Sequence, residues 1–194
     1  MSTERYVVAI TGASGSEYAL RLIEILVEAG HEAYVVISAG GLVTLRHEVE
    51  PERLHQVLAL ATEVFDDADI GASIASGSFV FDGLAVVPCS MNSLARLNAH
   101  MADTLITRAA MVAMKERRRM VVVPREMPMA TGTLEQMARL SGLGVIIAPA
   151  SPGFYHRPQS MEELVEFVAA KTAACLGVRS WRLKAWKANQ LCDT

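Results

Sequence analysis

Short, nearly continuous apolar runs alternate along this chain with stretches whose apolar positions recur at helical spacing. The runs are Tyr6–Ile10, Ala33–Ile37, Leu84–Val87, Met120–Val123 and Val145–Ile147. Apolar residues stand side by side in them, as in strands covered on both faces. The helical patterns fall between, over Ser16–Ala29, Ala39–His47, Asn92–Asn98, Asp103–Arg118 and Thr133–Leu140. Two more cover Met161–Leu176 and Ser180–Leu191. This alternation predicts an α/β fold, a Rossmann-like parallel sheet with helices on both faces and a helical C-terminal arm from about residue 160. No repeat, low-complexity tract or linker divides the chain, so one domain over 1–194 is expected.

Composition narrows the function classes. Of 194 residues, 52% are apolar and 20% charged, which supplies a core and excludes a disordered chain or a disulfide-stapled miniprotein. Eighteen Lys plus Arg against 21 Asp plus Glu give a net charge of −3, without the basic excess of a nucleic-acid binder. Cys89, Cys175 and Cys192 lack the spacing of a zinc ribbon or a redox CxxC pair, so no metal site is expected. The N-terminus lacks a signal-peptide layout, and no apolar run nears the roughly 18 residues of a membrane span. A cytoplasmic protein with no membrane partner is the expectation.

Ligands of such sheets bind beyond the carboxyl ends of the strands, so the turns there carry the functional information. The first turn reads Thr11-Gly12-Ala13-Ser14-Gly15-Ser16. Its glycines permit a tight turn and close backbone approach, and the following helix offers unpaired N–H groups. A merely tight turn would look the same. Ser38, and no acidic residue for a ribose, ends the second strand. The turn after the third run is Pro88-Cys89-Ser90-Met91-Asn92-Ser93, rich in hydroxyl, amide and backbone donors. Ser90 or Asn92 alone could be a helix cap. Together the three turns point to a flavin mononucleotide (FMN) site.

At this point the chain resembles the flavin prenyltransferases of the UbiX type, also called phenylacrylic acid decarboxylases. The first matches are Thr11–Gly15, Ala75-Ser76-Gly77-Ser78-Phe79, Pro88–Ser93 and Thr107-Arg108-Ala109-Ala110. Lys115-Glu116-Arg117-Arg118, Pro124-Arg125-Glu126 and Phe154-Tyr155-His156-Arg157-Pro158-Gln159 follow in the same order. Each is modest alone; the ordered set, from residue 6 to about 186, is specific. The resemblance implies a Rossmann-like fold, tightly bound FMN and a homo-oligomer, a dodecamer or an assembly of trimers, with active sites between subunits.

Charged residues acquire roles beside it. Arg108 and Lys115, seven apart, share a helix face. The basic run 115–119 invites a nucleic-acid reading, but a solvated helix end favoured by the macrodipole is expected of Arg117, Arg118 and Arg119. Arg125 and Glu126 follow the fourth strand, where a bare pair would usually be a surface ion pair. The resemblance assigns both, with Lys115, to a phosphate-binding active site. In the arm, Ser160–Glu163 has capping-box form and Gly177 a C-cap position. Met161, Leu164, Val165, Val168, Thr172 and Cys175 form an apolar stripe with Lys171 at its edge. The resemblance makes Lys171 and Tyr155 phosphate ligands and closes Trp186 over the prenyl group, where an aromatic can shield an allylic cation.

The implied assignment is therefore concrete. Reduced FMN lies among Gly12, Ala13, Ser14, Ser38, Ser90, Met91, Asn92, Ser93 and Arg125. Dimethylallyl phosphate is held by Arg108, Lys115, Tyr155 and Lys171, protein cations replacing a metal. Glu126 handles protons, and Ser14 with Glu48 serves the flavin's reactive edge; with Lys115, Tyr155 and Trp186 these are the catalytic residues. The product, FMN alkylated at N5 and closed at C6, passes to a UbiD-type decarboxylase. The chain departs from the family pattern at His100, Thr104, Met111, Met127 and Thr133, and Met111 removes an acidic partner from the Arg108–Lys115 face. Two alternatives exist. An FMN-dependent decarboxylase of cysteine-containing substrates would need a catalytic histidine after the second helix, where His47 instead neighbours Glu48. A non-catalytic FMN-binding partner subunit of a decarboxylase would not need Ser14, Glu48, Lys115, Glu126 and Tyr155 together.

Overall fold

The computed structural model describes residues 2–178. Six strands, β1 (Arg5–Ile10), β2 (Glu32–Ile37), β3 (Glu63–Asp66), β4 (Gly83–Cys89), β5 (Arg119–Pro124) and β6 (Ile146–Ile147), form one sheet. All pairings are parallel, in the order β3-β2-β1-β4-β5-β6. The order reverses between β1 and β4, which opens a crevice at their carboxyl ends. The helices are α1 (Ser16–Glu28), α2 (Ala39–Glu48), α3 (Pro51–Leu58), α4 (Met91–Asn98), α5 (Leu105–Lys115), α6 (Thr131–Gly142) and α7 (Met161–Leu176).

Strand alternation sends side chains to two cores. Tyr6, Val8 and Ile10 pack with Leu20 and Ile23 of α1 and Ala169 and Ala173 of α7. Val7 and Ala9 pack on the other face with Leu94 of α4 and Ala109 and Ala113 of α5. Both faces are covered, which is why β1, β2, β4 and β5 read as continuous apolar runs.

Four expectations are corrected. The sheet gains β3, a short edge strand whose sequence Glu-Val-Phe-Asp buries only Phe65; an edge strand has one covered face and few residues to form a pattern. Helix α3 is likewise unanticipated, with Pro51 in its first turn. Helix α5 is shorter than Asp103–Arg118: Thr104 caps it, and Arg117 adopts a left-handed φ of 56° beyond its end. On α7 the buried face runs through Val168, Ala169, Thr172, Ala173 and Leu176, while Met161 is exposed. Small alanines allow α7 to lie close against α1, so the closest packing does not follow the largest apolar residues.

Arg118 and Arg119 are not freely solvated either. Arg119 donates from Nη1 to the Leu176 carbonyl at 2.9 Å, closing the C-terminal end of α7. The Arg118 guanidinium lies 4.3 Å from the centre of the Phe81 ring. Arg117 is exposed, as expected. The expected helix Ser180–Leu191, and Trp186 on it, lie outside the described residues.

Candidate active site

A cleft of about 390 Å³ opens at the β1/β4 crevice. Gly12, Ser38, Ser90, Asn92 and Ser93, from three different turns, line it together. Thr11 fixes two of those turns. Fully buried, its hydroxyl donates to the Pro88 carbonyl at 2.7 Å and accepts from the Ser90 N–H at 2.8 Å. Gly12 meets the third turn backbone to backbone: a Cβ there would stand 3.0 Å from Gly40 Cα. A side chain at either glycine would crowd the cleft wall.

Ser38 and Ser90 are N-caps. Ser38 accepts from the Gly41 N–H at 3.0 Å; Ser90 accepts from the Ser93 N–H at 3.2 Å and donates to the Ser93 hydroxyl at 3.0 Å. Each cap ties down one donor and leaves the first N–H groups of its helix without intrahelical partners at the cleft. Two helix N-termini thus converge there, an arrangement favouring a phosphate.

Helix α1 behaves differently, which corrects the expectation of open N–H groups in the first turn. Glu48 Oε2 accepts from the Gly15 N–H at 2.9 Å and the Ser16 N–H at 2.8 Å. Gly15 holds φ at 108°, a left-handed conformation that suits glycine. Burial would raise the Glu48 carboxyl, but hydrogen bonds from the Ser16 N–H, the Ser14 hydroxyl and the Gly15 N–H outweigh it and hold the group below the ordinary value. Glu48 is thus a carboxylate plug in the N-terminus of α1.

Arg125 joins this corner. Its Nε donates to the Ser14 carbonyl at 3.2 Å, and its backbone N–H to the Cys89 carbonyl at 3.3 Å. Tyr18, unanticipated, lies between the charges: burial raises its phenol, Arg125 opposes that, and Glu48 adds to it. Glu126 is exposed and does not pair with Arg125; its Oε1 accepts the Met127 N–H at 2.9 Å. Ala13 is buried, and Met91 packs partly buried on the core beneath the cleft. Cys89 is fully buried, which pushes its thiol up to about 12 and removes it as a nucleophile.

Several lining residues were missed in the sequence. Asp67, Arg96, Thr104 and Thr107 border the cleft. Asp67 Oδ1 accepts the Ile106 N–H at 2.8 Å and so caps α5, while Arg96 pairs with Asp103 at 2.8 Å. The signal for Asp67 was an acidic pair ending a short apolar run, legible only once that run is taken as a strand.

The expected substrate-phosphate residues do not gather at this cleft. Lys115 pairs with Glu116 at 3.0 Å near the far end of α5. It lies eight residues beyond Thr107, about 12 Å along the helix at 1.5 Å per residue. Arg108 is half-buried, and its Nε has no partner among the described residues. The Tyr155 ring stands edge-on to His156 and Phe167, at 5.6 and 5.8 Å between centroids. Lys171 is exposed on α7. Among the described residues, no three His, Cys, Asp or Glu side chains cluster as metal ligands, and no helix is long and apolar enough to cross a membrane.

Comparison with known proteins matches residues 1–173 to the family described as Flavoprotein. A flavin prenyltransferase UbiX of Thermoplasma acidophilum is 46% identical over 182 residues, covering 94% of this chain and 99% of that protein. A dodecameric FMN-dependent UbiX-like decarboxylase from Escherichia coli O157:H7 has a structure of TM-score 0.89 to this one at 39% identity, covering 94% of this chain and 98% of that one. AnUbiX (PadA1), solved in complex with FMN and dimethylallyl pyrophosphate, gives a TM-score of 0.90 at 34% identity, covering 95% and 98% of the two chains.

Proposed function

The chain belongs to the UbiX-type flavin prenyltransferases of the flavoprotein family, and on that premise we propose that it transfers a dimethylallyl group from dimethylallyl phosphate to reduced FMN. The observation that carries the reading is the convergence of two capped helix N-termini and the Gly12–Gly40 contact on one crevice. A nucleotide phosphate fits these residues: Ser38, Ser90 and Ser93 supply hydroxyls, and the glycines let backbone donors approach. No carboxylate ends β2 at Ser38 to hold the ribose of a dinucleotide.

When bound, reduced FMN supplies two nucleophilic positions, N5 and C6. Around it, Arg125 contributes positive charge while Gly12, Ala13, Met91 and Asn92 shape the wall. Glu48 stays ionised at neutral pH and holds the Ser14 hydroxyl, and the pair would serve the flavin's reactive edge. Glu126 has no cationic partner among the described residues, which suits exchange of protons with the departing phosphate. Arg108, Lys115, Tyr155 and Lys171 hold that phosphate and stabilise the charge it gains as the allylic bond breaks. Trp186 would cover the prenyl group.

Lys115 lies about 12 Å along α5 from Thr107, a separation that favours its serving the cleft of a neighbouring copy. We therefore read the site as composite and the protein as a homo-oligomer, a state in keeping with the dodecamer of the Escherichia coli relative. The product, in this reading, is handed to a UbiD-type decarboxylase, and the reaction runs in the reducing cytoplasm, with Cys89 and Cys175 as free thiols.

Binding tests this reading. Titration should quench FMN fluorescence stoichiometrically and leave NADH fluorescence unaltered. NADH binding without FMN binding would overturn it.

A further inference from the structure

We propose that Arg118 is a positioning residue for substrate phosphate: it clamps the loop around Gly77 against the head group of Lys115. The proposal rests on the assignment of Lys115 to that phosphate. Arg118 stands just past α5 in a Schellman motif, its N–H donating to the Ala113 carbonyl at 2.9 Å after Arg117 turns left-handed. That motif aims its side chain across the adjoining loop. Nη2 donates to the Gly77 carbonyl and Nη1 to the Phe79 carbonyl, both at 2.8 Å. The guanidinium face rests on Phe81, itself 1% exposed and part of the core. Two carbonyls and one ring are thus held by one planar cation, a task the point charge of lysine does not reproduce.

The other side of the same loop touches the chemistry. A Cβ on Gly77 would stand 3.1 Å from Lys115 Nζ and 2.7 Å from Glu116 Oε1. Gly77 therefore lies bare against the Lys115–Glu116 pair, while its carbonyl is gripped by Arg118. Lys115 is on a flexible stem with its side chain 58% exposed, so its own helix does not fix where its ammonium sits. The clamped loop supplies a wall for it. Ser76 and Ser78, whose hydroxyls stand 2.7 Å apart, occupy the same loop and are exposed. A shift of about 1 Å in a positioning group can cost up to a hundredfold in rate, so a remote clamp has leverage.

The test is a double-mutant cycle on FMN-loaded oligomer, with dimethylallyl phosphate varied. Arg118→Met should raise KM for dimethylallyl phosphate about tenfold while the Kd for FMN stays at its wild-type value. Arg118→Lys, which keeps charge and stem and so guards against a folding defect, should not restore KM. In a Lys115→Ala background the Arg118 substitutions should add less than about twofold, because their route is already gone. A wild-type KM in folded Arg118→Met, or an equal loss with and without Lys115, would overturn the clamp while leaving Lys115's role intact. A wild-type KM in Lys115→Ala alone would instead overturn the phosphate assignment, and the clamp with it.

Discussion

The Thr11 hydroxyl and the Ser90 N–H, 79 residues apart, meet at 2.8 Å and lock together two turns of the cleft. The same hydroxyl donates to the Pro88 carbonyl at 2.7 Å, so a single buried oxygen serves both a donor and an acceptor of the β4 turn. The relative position of Gly12 and the Ser90 cap is set by this oxygen.

Thr11→Val keeps shape and removes both bonds. The part-buried Ser90 N–H then loses its partner, while the Pro88 carbonyl keeps the Thr11 N–H at 3.3 Å; one unsatisfied group costs about 1–3 kcal/mol. Stability measured by urea denaturation should fall by about 2 kcal/mol, and the Kd for FMN should rise. Unchanged FMN affinity would mean that the two turns hold their places independently.

Glu48 provides a pH signature. Its folded-state carboxyl lies below the ordinary value despite partial desolvation, owing to the bonds from Ser16, Ser14 and Gly15. A depressed carboxyl stabilises the fold fully above the unfolded-state pKa, and that contribution disappears as pH falls through the folded-state value. Glu48→Gln should therefore cost about 1 kcal/mol at pH 7, the scale of a helix cap tempered by solvent. Its denaturation midpoint should converge with wild type in the acid limb. Parallel pH profiles would show that the plug contributes no charge.

Glu126→Gln separates chemistry from binding. The side chain engages only its neighbouring Met127 N–H among the described residues, so FMN content should stay near wild type. Prenyl transfer should slow by about a hundredfold to ten-thousandfold, the range of a lost acid–base group. Stopped-flow flavin absorbance reads both. Wild-type turnover would leave proton transfer to the phosphate itself.

Subunit mixing tests the composite site. Lys115→Ala and Glu126→Gln each impair every site of a homo-oligomer. If Lys115 serves a neighbour's cleft, dissociated and reassembled mixtures contain some sites with both residues intact, and activity should return in part. Mixtures as inactive as the parents would place Lys115 and Glu126 in the same copy's site.

The sheet was legible because β1, β2, β4 and β5 are buried on both faces and so spell apolar runs. β3 was not, since an edge strand burying only Phe65 carries no such run; with it went Asp67 and the α5 wall of the cleft. Ser90 was legible as a cap residue after its strand; Ser38 was legible only as the residue ending the second strand, and its capping of α2 came from the structure. Glu48 was not legible as the plug of α1, because its partners Gly15 and Ser16 are more than thirty positions away. Arg118 was hidden for a similar reason: among the four basic residues of the run 115–119, only the path of loop 77–81 picks out the one that clamps it.

The central claim is the transfer itself, and mass spectrometry of the released flavin tests it most directly. The protein is incubated anaerobically with reduced FMN and dimethylallyl phosphate, denatured, and its flavin weighed. The account predicts FMN carrying one added five-carbon unit, absent when either substrate is omitted. Unmodified FMN from protein that demonstrably binds flavin would contradict it.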